Sequence, residues 1–372
     1  MIRKRILLSA RDPGAAYQIS TIGKMLAIEE SYKILSVASD ATLEIFNKNG
    51  LSVNHVSTIS TAKQSGSEVD SLMQEATSII NEFSPDVILV GLSGADSGID
   101  EALIACAEKC PTYAYQDYWG DVNYGFGSLP DNYLVIDEEA KRLTLKKVNA
   151  RVLVVGRPFK YDFDNNECDE DLPIDSGKND KNIMLMFAGQ PLWHLEGYAR
   201  TIKKFATAIS ESQSFTDFIY RPHPKETLHE YNKLFKLCSD LNLDVSLDKN
   251  RLLDRAILAS NVIVSCYSSC GYDVCYANTY SKKPLAGVVY FMFDDEIISF
   301  YEKQTHLSEL PHSQSGVFLT VENPLEIATT IEIASNTQWQ EKAWSNAVDI
   351  FDDKTSATKN VYDLMCSELE LD

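Results

Sequence analysis

Short apolar, β-branched runs alternate with longer stretches of helical periodicity through the first 160 residues, and that alternation restricts the chain to βαβ units wound around a parallel sheet. Strands are expected at 5–9, 33–38, 53–56, 86–90, 112–115, 133–136 and 152–155. Between them, 67–83 carries Val69, Leu72, Met73, Ala76, Ile79 and Ile80 at helical spacing, and 99–108 shows the same pattern. The pattern breaks in a stretch at 162–181 that is dense in Asp, Glu, Asn, Gly and Ser and has little to bury, the composition of a linker. Alternation then resumes, with strands at 182–187, 217–220, 244–246, 262–265 and 285–289 and helices at 198–210, 227–241 and 252–259. A last helix at 338–369, with a break, is long enough to return to the first domain. The expected organisation is an N-terminal Rossmann-like domain at 1–160, an acidic linker at 161–181, a second Rossmann-like domain at 182–340 and a returning helical segment at 341–372.

With 372 residues, 44% hydrophobic and 24% charged, the chain has material for two cores. Its formal net charge of -20 repels nucleic acid and anionic lipid headgroups, so no nucleic-acid partner and at most peripheral membrane contact are expected. A small anion is still accommodated where local amides and a few cations set the potential. Met1-Ile2-Arg3-Lys4-Arg5 is basic, but Ile6-Leu7-Leu8 is too short for the apolar stretch of a secretion signal, and a cytoplasmic protein is expected. The eight cysteines lack paired C-x-x-C spacing, so they read as reduced packing residues and no metal site is assigned to them.

Three segments are candidates for chemistry, each following an expected strand. Asp12-Pro13-Gly14 forms a turn into a helix, where Asp12 is placed to act as a general base and Arg11 to grip a phosphate or carboxylate, with Gly14 allowing close backbone approach. The same residues also make an ordinary turn with a helix cap. Tyr220-Arg221-Pro222-His223-Pro224-Lys225-Glu226 confines three cationic donors, Arg221, His223 and Lys225, to one strand end stiffened by two prolines. Ser268 and Ser269 open a helix before Gly271 and offer hydroxyl and amide donors to phosphate oxygens, or serve simply as a cap. Gly189 and Gln190 end the first strand of the second half, where backbone can approach a nucleotide. In the first half, Asp117 and Trp119 follow a strand, and the aromatic ring is placed to stack on an acceptor or to pack. No G-x-G-x-x-G fingerprint or G-x-S-x-G elbow is present.

Taken together, these residues resemble the GT-B superfamily of nucleotide-sugar enzymes. Val154-Val155-Gly156-Arg157-Pro158-Phe159 resembles the crossover by which such chains leave their N-terminal domain. Arg221-Pro222-His223-Pro224 resembles the His-Pro motif of bacterial sialyl-, polysialyl- and Kdo-transferases and of teichoic-acid glycerophosphotransferases. The resemblance implies two Rossmann-like domains facing across a cleft. It also implies that His223 contacts the nucleotide phosphate with help from Ser268 and Ser269, and that CMP- or CDP-linked donors are preferred over UDP. Asp12-Pro13-Gly14 departs from the acidic-acidic-Gly loop of sialyltransferases. UDP-sugar 2-epimerases share the fold with a Gly-Asn-Pro crossover and a Ser-Gly-Gly loop, where this chain has Gly-Arg-Pro and Ser-Ser-Cys-Gly.

The resulting expectation is a glycosyltransferase of surface polysaccharide or glycolipid synthesis. Its partners would be a nucleotide-sugar donor and a glycan or glycolipid acceptor, and a homodimer is compatible with the sequence. In it, Asp12 and His223 are catalytic, Arg221, Lys225, Ser268, Ser269, Gly189 and Gln190 hold the nucleotide, and Arg11, Gly14, Asp117 and Trp119 face the acceptor. The nucleotide-sugar is substrate, and no cofactor or metal is assigned. The Asp-x-Asp spacings at Asp162-Phe163-Asp164 and Asp169-Glu170-Asp171 read as solvated linker charge. A UDP-sugar 2-epimerase and a non-catalytic nucleotide-sugar binding protein are the alternatives.

Overall fold

Ile6, Leu7 and Leu8 have no exposed surface, as expected of a strand covered on both faces, where each buried aliphatic side chain contributes about 1.5–3 kcal/mol. They lie on β1 (Lys4–Ala10) of a computed structural model, which describes the chain except for residues 1–2, 60–65, 93–95, 159–182, 213, 216, 249–252, 352–356 and 371–372. Six further strands complete a seven-stranded parallel sheet: β2 (Tyr32–Ser39), β3 (His55–Ser57), β4 (Val87–Gly91), β5 (Thr112–Tyr115), β6 (Asn132–Val135) and β7 (Arg151–Val154). The order is β3-β2-β1-β4-β5-β6-β7, with Leu8 opposite Ser36 on one side and Leu89 on the other. The helices of this half are α1 (Pro13–Ala27), α2 (Leu43–Lys48), α3 (Ser67–Phe83), α4 (Ile99–Cys106) and α5 (Glu138–Leu145).

The second sheet has six parallel strands: β8 (Leu185–Ala188), β9 (Asp217–Arg221), β10 (Asp244–Leu247), β11 (Val262–Ser265), β12 (Gly287–Phe291) and β13 (Leu319–Val321). They follow the order β10-β9-β8-β11-β12-β13. Its helices are α6 (Glu196–Glu211), α7 (Leu228–Asp240), α8 (Leu253–Ala259), α9 (Ser269–Asn278), α10 (Asp295–Thr305), α11 (Ile327–Ser335) and α12 (Thr337–Phe351), and α13 (Ala357–Glu370) ends the chain. Phe187, Phe205 and Phe291 form an aromatic centre to this core, with Phe187 and Phe205 centroids 5.1 Å apart.

The chain divides into two units, one of Met1–Lys160 with Asp353–Asp372 and one of Tyr161–Asp352. Each is a Rossmann-like α/β unit. In each, the strand order reverses beside the first strand, between β1 and β4 and between β8 and β11. In open parallel sheets, ligands bind outside the carboxyl ends of the strands at such a point.

Several sequence expectations shift in register. The strand expected at 285–289 runs Gly287–Phe291, because Leu285 N donates to Asn278 Oδ1 at 3.1 Å and is held in the preceding turn. The final helical segment is two helices, and α12 lies in the second unit, so the return to the first begins after Asp352 and not at 341. There α13 is anchored by Thr358 Oγ1 on Pro158 O at 2.9 Å and by Asn360 Nδ2 on Val155 O at 3.2 Å. The acidic linker and both Asp-x-Asp spacings lie outside the described residues. Among the described residues, no helix is long and apolar enough to cross a membrane.

Candidate functional site

β9 stops where Pro222 removes the next ladder donor. The chain then turns at His223-Pro224-Lys225-Glu226, with Glu226 N donating to His223 O at 2.8 Å across the turn and Pro224 in the second position, where its fixed φ is favoured. The Glu226 side chain reinforces the turn from the other side, with Oε2 accepting from His223 N at 2.6 Å. Lys225 N donates to His223 Nδ1 at 3.1 Å, which leaves the hydrogen of the neutral ring on Nε2. A capping box follows at once. Thr227 N donates to Glu230 Oε2 at 2.7 Å and Glu230 N to Thr227 Oγ1 at 3.3 Å, which starts α7.

Glu226 also reaches the β8–α6 loop and strand β9. Its Oε1 accepts from Trp193 Nε1 and from Tyr220 Oη, both at 2.6 Å. Burial pushes this carboxyl up, and the three donors oppose that shift. Nearby, the Tyr198 hydroxyl oxygen receives Gln190 N at 2.8 Å. Gln190 Oε1 accepts from Tyr267 N at 3.1 Å. Hydrogen bonds from the loop after β8 therefore reach the loop after β9, through Trp193 and Glu226, and the loop after β11, through Gln190 and Tyr267, on both sides of the reversal in strand order. Gly189 is required by this arrangement, because a Cβ there would overlap the Tyr220 hydroxyl and the Glu226 carboxylate.

Around this frame, Ser268 caps α9 by accepting from Cys270 N at 3.2 Å, while its own carbonyl receives Tyr290 Oη at 2.9 Å. Ser269 is exposed in the first turn of α9, as is Lys225 in the His-Pro turn. Arg221 Nη1 is committed to Asp248, a buried carboxylate just beyond β10.

In the first unit, Asp12 caps α1 by accepting from Gly14 N at 3.3 Å. The Asp117 carboxylate lies against the same turn, where a Cβ on Gly14 would overlap it, so the expected catalytic acid Asp12 and the expected acceptor-side acid Asp117 meet at the start of α1. Arg11 is used differently from the expectation. Its guanidinium is buried, with Nε donating to Glu101 Oε2 at 3.3 Å and Nη2 donating to Asp96 O, so it locks the turn to α4 and does not grip a ligand. Glu101 also accepts from Gly98 N at 2.8 Å and Asn123 Nδ2 at 3.0 Å, and Asp100 accepts from Arg11 N at 2.9 Å and from Ser9 Oγ. The stacking role expected of Trp119 is also corrected. It is 1% exposed and donates from Nε1 to Asp137 Oδ2 at 2.8 Å, so its ring faces are covered by the core. Among the described residues, no group of His, Cys, Asp and Glu is arranged to hold a metal ion.

The sequence reading thus found the loops but missed Glu226, Asp248, Tyr198 and the pair Asp100 and Glu101. Glu226 had a signal, since His-Pro-x-Glu is the spacing of a proline turn closed by its fourth residue.

No family model matches the sequence, and no curated protein matches it. Solved structures do. S. aureus MnaA with UDP is 14% identical with a TM-score of 0.69, covering 99% of this chain and 98% of that one. The UDP-GlcNAc 2-epimerase of Neisseria meningitidis bound to UDP-GlcNAc is 14% identical with a TM-score of 0.65, over 98% of this chain and 100% of that one. MurG of Acinetobacter baumannii is 11% identical with a TM-score of 0.58, over 98% and 99%. The fold is of the GT-B type. The likeness extends over nearly the whole of each chain and includes both epimerases and glycosyltransferases.

Proposed function

We propose that this protein is a nucleotide-sugar enzyme, and that the reaction is glycosyl transfer in the synthesis of a surface polysaccharide or glycolipid. The observation that carries the reading is the His223 ring at the end of β9, whose Nδ1 accepts from Lys225 N so that a neutral ring carries its hydrogen on Nε2. A donor hydrogen at a strand end suits a phosphate oxygen that gains charge as the bond between sugar and phosphate breaks. In this reading the exposed Lys225 and the start of α9 at Ser268 and Ser269 add positive potential for the leaving nucleotide. The acceptor hydroxyl gives its proton to Asp12, its oxygen bonds to the sugar carbon, and the electron pair of the broken bond leaves with the nucleoside phosphate. No metal is assigned a part, because side chains and helix amides supply the opposing charge.

A second reading, a UDP-sugar 2-epimerase, is favoured by the solved structures themselves, since the 2-epimerases match at TM-scores of 0.62–0.68 and the glycosyltransferases at 0.58–0.61. The two are separated by supplying UDP-GlcNAc without acceptor, which an epimerase consumes and a transferase leaves intact. The shared premise is tested by calorimetric titration with CMP, CDP, UDP and GDP. At least one binds, and His223→Ala weakens that binding by about tenfold or more, the loss of a hydrogen bond to a charged group. Failure of all four to bind the wild type overturns the proposal. Binding of a nucleotide-sugar without turnover under either condition would leave a non-catalytic binding protein.

A further inference from the structure

The nucleotide reading uses His223 but leaves unexplained why a buried acid lies directly behind it. All three of the hydrogen-bond partners of the Glu226 side chain are donors: Trp193 Nε1, Tyr220 Oη and His223 N. An amide in its place would have to turn an N–H toward one of them. One contact comes from the β8–α6 loop, one from strand β9 and the third is the backbone of His223 itself, so the carboxylate fixes the turn to the sheet on one side and to the β8–α6 loop on the other. Glu226 N donating to His223 O, with the side chain accepting from His223 N, closes a reciprocal pair around one residue. Only with the turn held in that shape does Lys225 N reach His223 Nδ1.

We infer that Glu226 is a positioning residue that sets the ring of His223 in the Nε2–H tautomer, with Tyr220 and Trp193 as the donors that hold its carboxylate in place. Tyr220 Oη, Trp193 Nε1 and His223 N all donate to its carboxylate. Charge on Glu226 therefore orders all three donors, and Gln190, in the same β8–α6 loop as Trp193, holds Tyr267 N next to Ser268. Glu226 is thus the anchor from which the loops carrying His223 and Ser268 take their relative placement within the second unit.

The inference rests on the nucleotide reading for its purpose but not for its test, which begins without ligand. Nitrogen-15 NMR of the histidine rings, with His223 assigned by the signal lost in His223→Gln, reads the tautomer directly in the full chain. Wild type shows Nε2 protonated and Nδ1 bare. Glu226→Gln moves His223 toward a mixture of tautomers and weakens UDP or CDP binding by about tenfold. Tyr220→Phe, which removes one donor and leaves the carboxylate, moves both readouts in the same direction by less, and keeps the test open if Glu226→Gln fails to fold. Ring signals unchanged in both variants overturn the inference even if nucleotides bind. Shifted ring signals with no nucleotide binding in the wild type uphold the positioning role and overturn the nucleotide reading.

Discussion

Asp100 has no exposed surface, yet it sits beside a second carboxylate, Glu101, at the start of α4. Burial first, and Glu101 second, push its carboxyl up from 3.8 to about 7, against the pull of Arg11. A raised value in the folded protein means that the native state holds a proton the unfolded chain has released. The contribution to stability is therefore full below the unfolded value and is lost as pH rises through about 7. The slope attributable to one such group is at most about 1.4 kcal/mol per pH unit. Asparagine at this position keeps an oxygen for Arg11 N and offers its amide to Ser9 Oγ, so Asp100→Asn should fold. Urea midpoints measured from pH 4 to 7 should fall with pH in the wild type more steeply than in Asp100→Asn. Equal slopes would place the raised group elsewhere.

At the scale of elements, the close fit of α1 against β4 decides where the Asp12 turn sits. Gly91, the last residue of β4, is packed so closely on Ala15 that a Cβ would overlap the alanine methyl. Gly91→Ala should lift the first turn of α1 from the sheet and cost about 1–3 kcal/mol, the usual penalty of overpacking. A fall in the melting temperature of the first unit, with His223 signals in the second unchanged, checks it. This fit also shows what was legible in the sequence. The helical spacing of Val69, Leu72, Met73 and Ala76 announced α3 to the residue, and β-branched runs announced the central strands, because burial periodicity is written locally. The short edge strand β13 and the polar helix α5 were not announced, since a three-residue strand has no period and α5 buries little beyond Ala140 and Thr144. The site divides in the same way. Turn chemistry flagged Asp12, His223 and Ser268 from their own neighbours, whereas Arg11 with Glu101, Arg221 with Asp248 and Trp119 with Asp137 are partnerships across 90, 27 and 18 residues that local spacing does not encode.

The whole molecule is two units of which only the second is continuous in sequence. α13 contributes Ala357, Val361, Met365 and Leu369 to the core of the first unit, and Arg151 pairs with Glu368 at 2.7 Å. Deleting residues 357–372 should therefore uncover apolar surface on the first unit alone. Calorimetry should show the second unit melting as in the full chain and the first unit melting lower or not at all, with proteolysis concentrated in residues 3–158. A uniform loss across both units would show that α13 serves the second unit as well.

That discontinuity also sets an order on the ribosome. Domains usually fold from the N-terminus as they emerge. Here every residue of the second unit is synthesised before α13, so the half carrying His223 can close its core while the half carrying Asp12 still lacks a piece of its own. The first unit must wait, with the surface against α1 that α13 will cover left open to water, until the last helix leaves the exit tunnel.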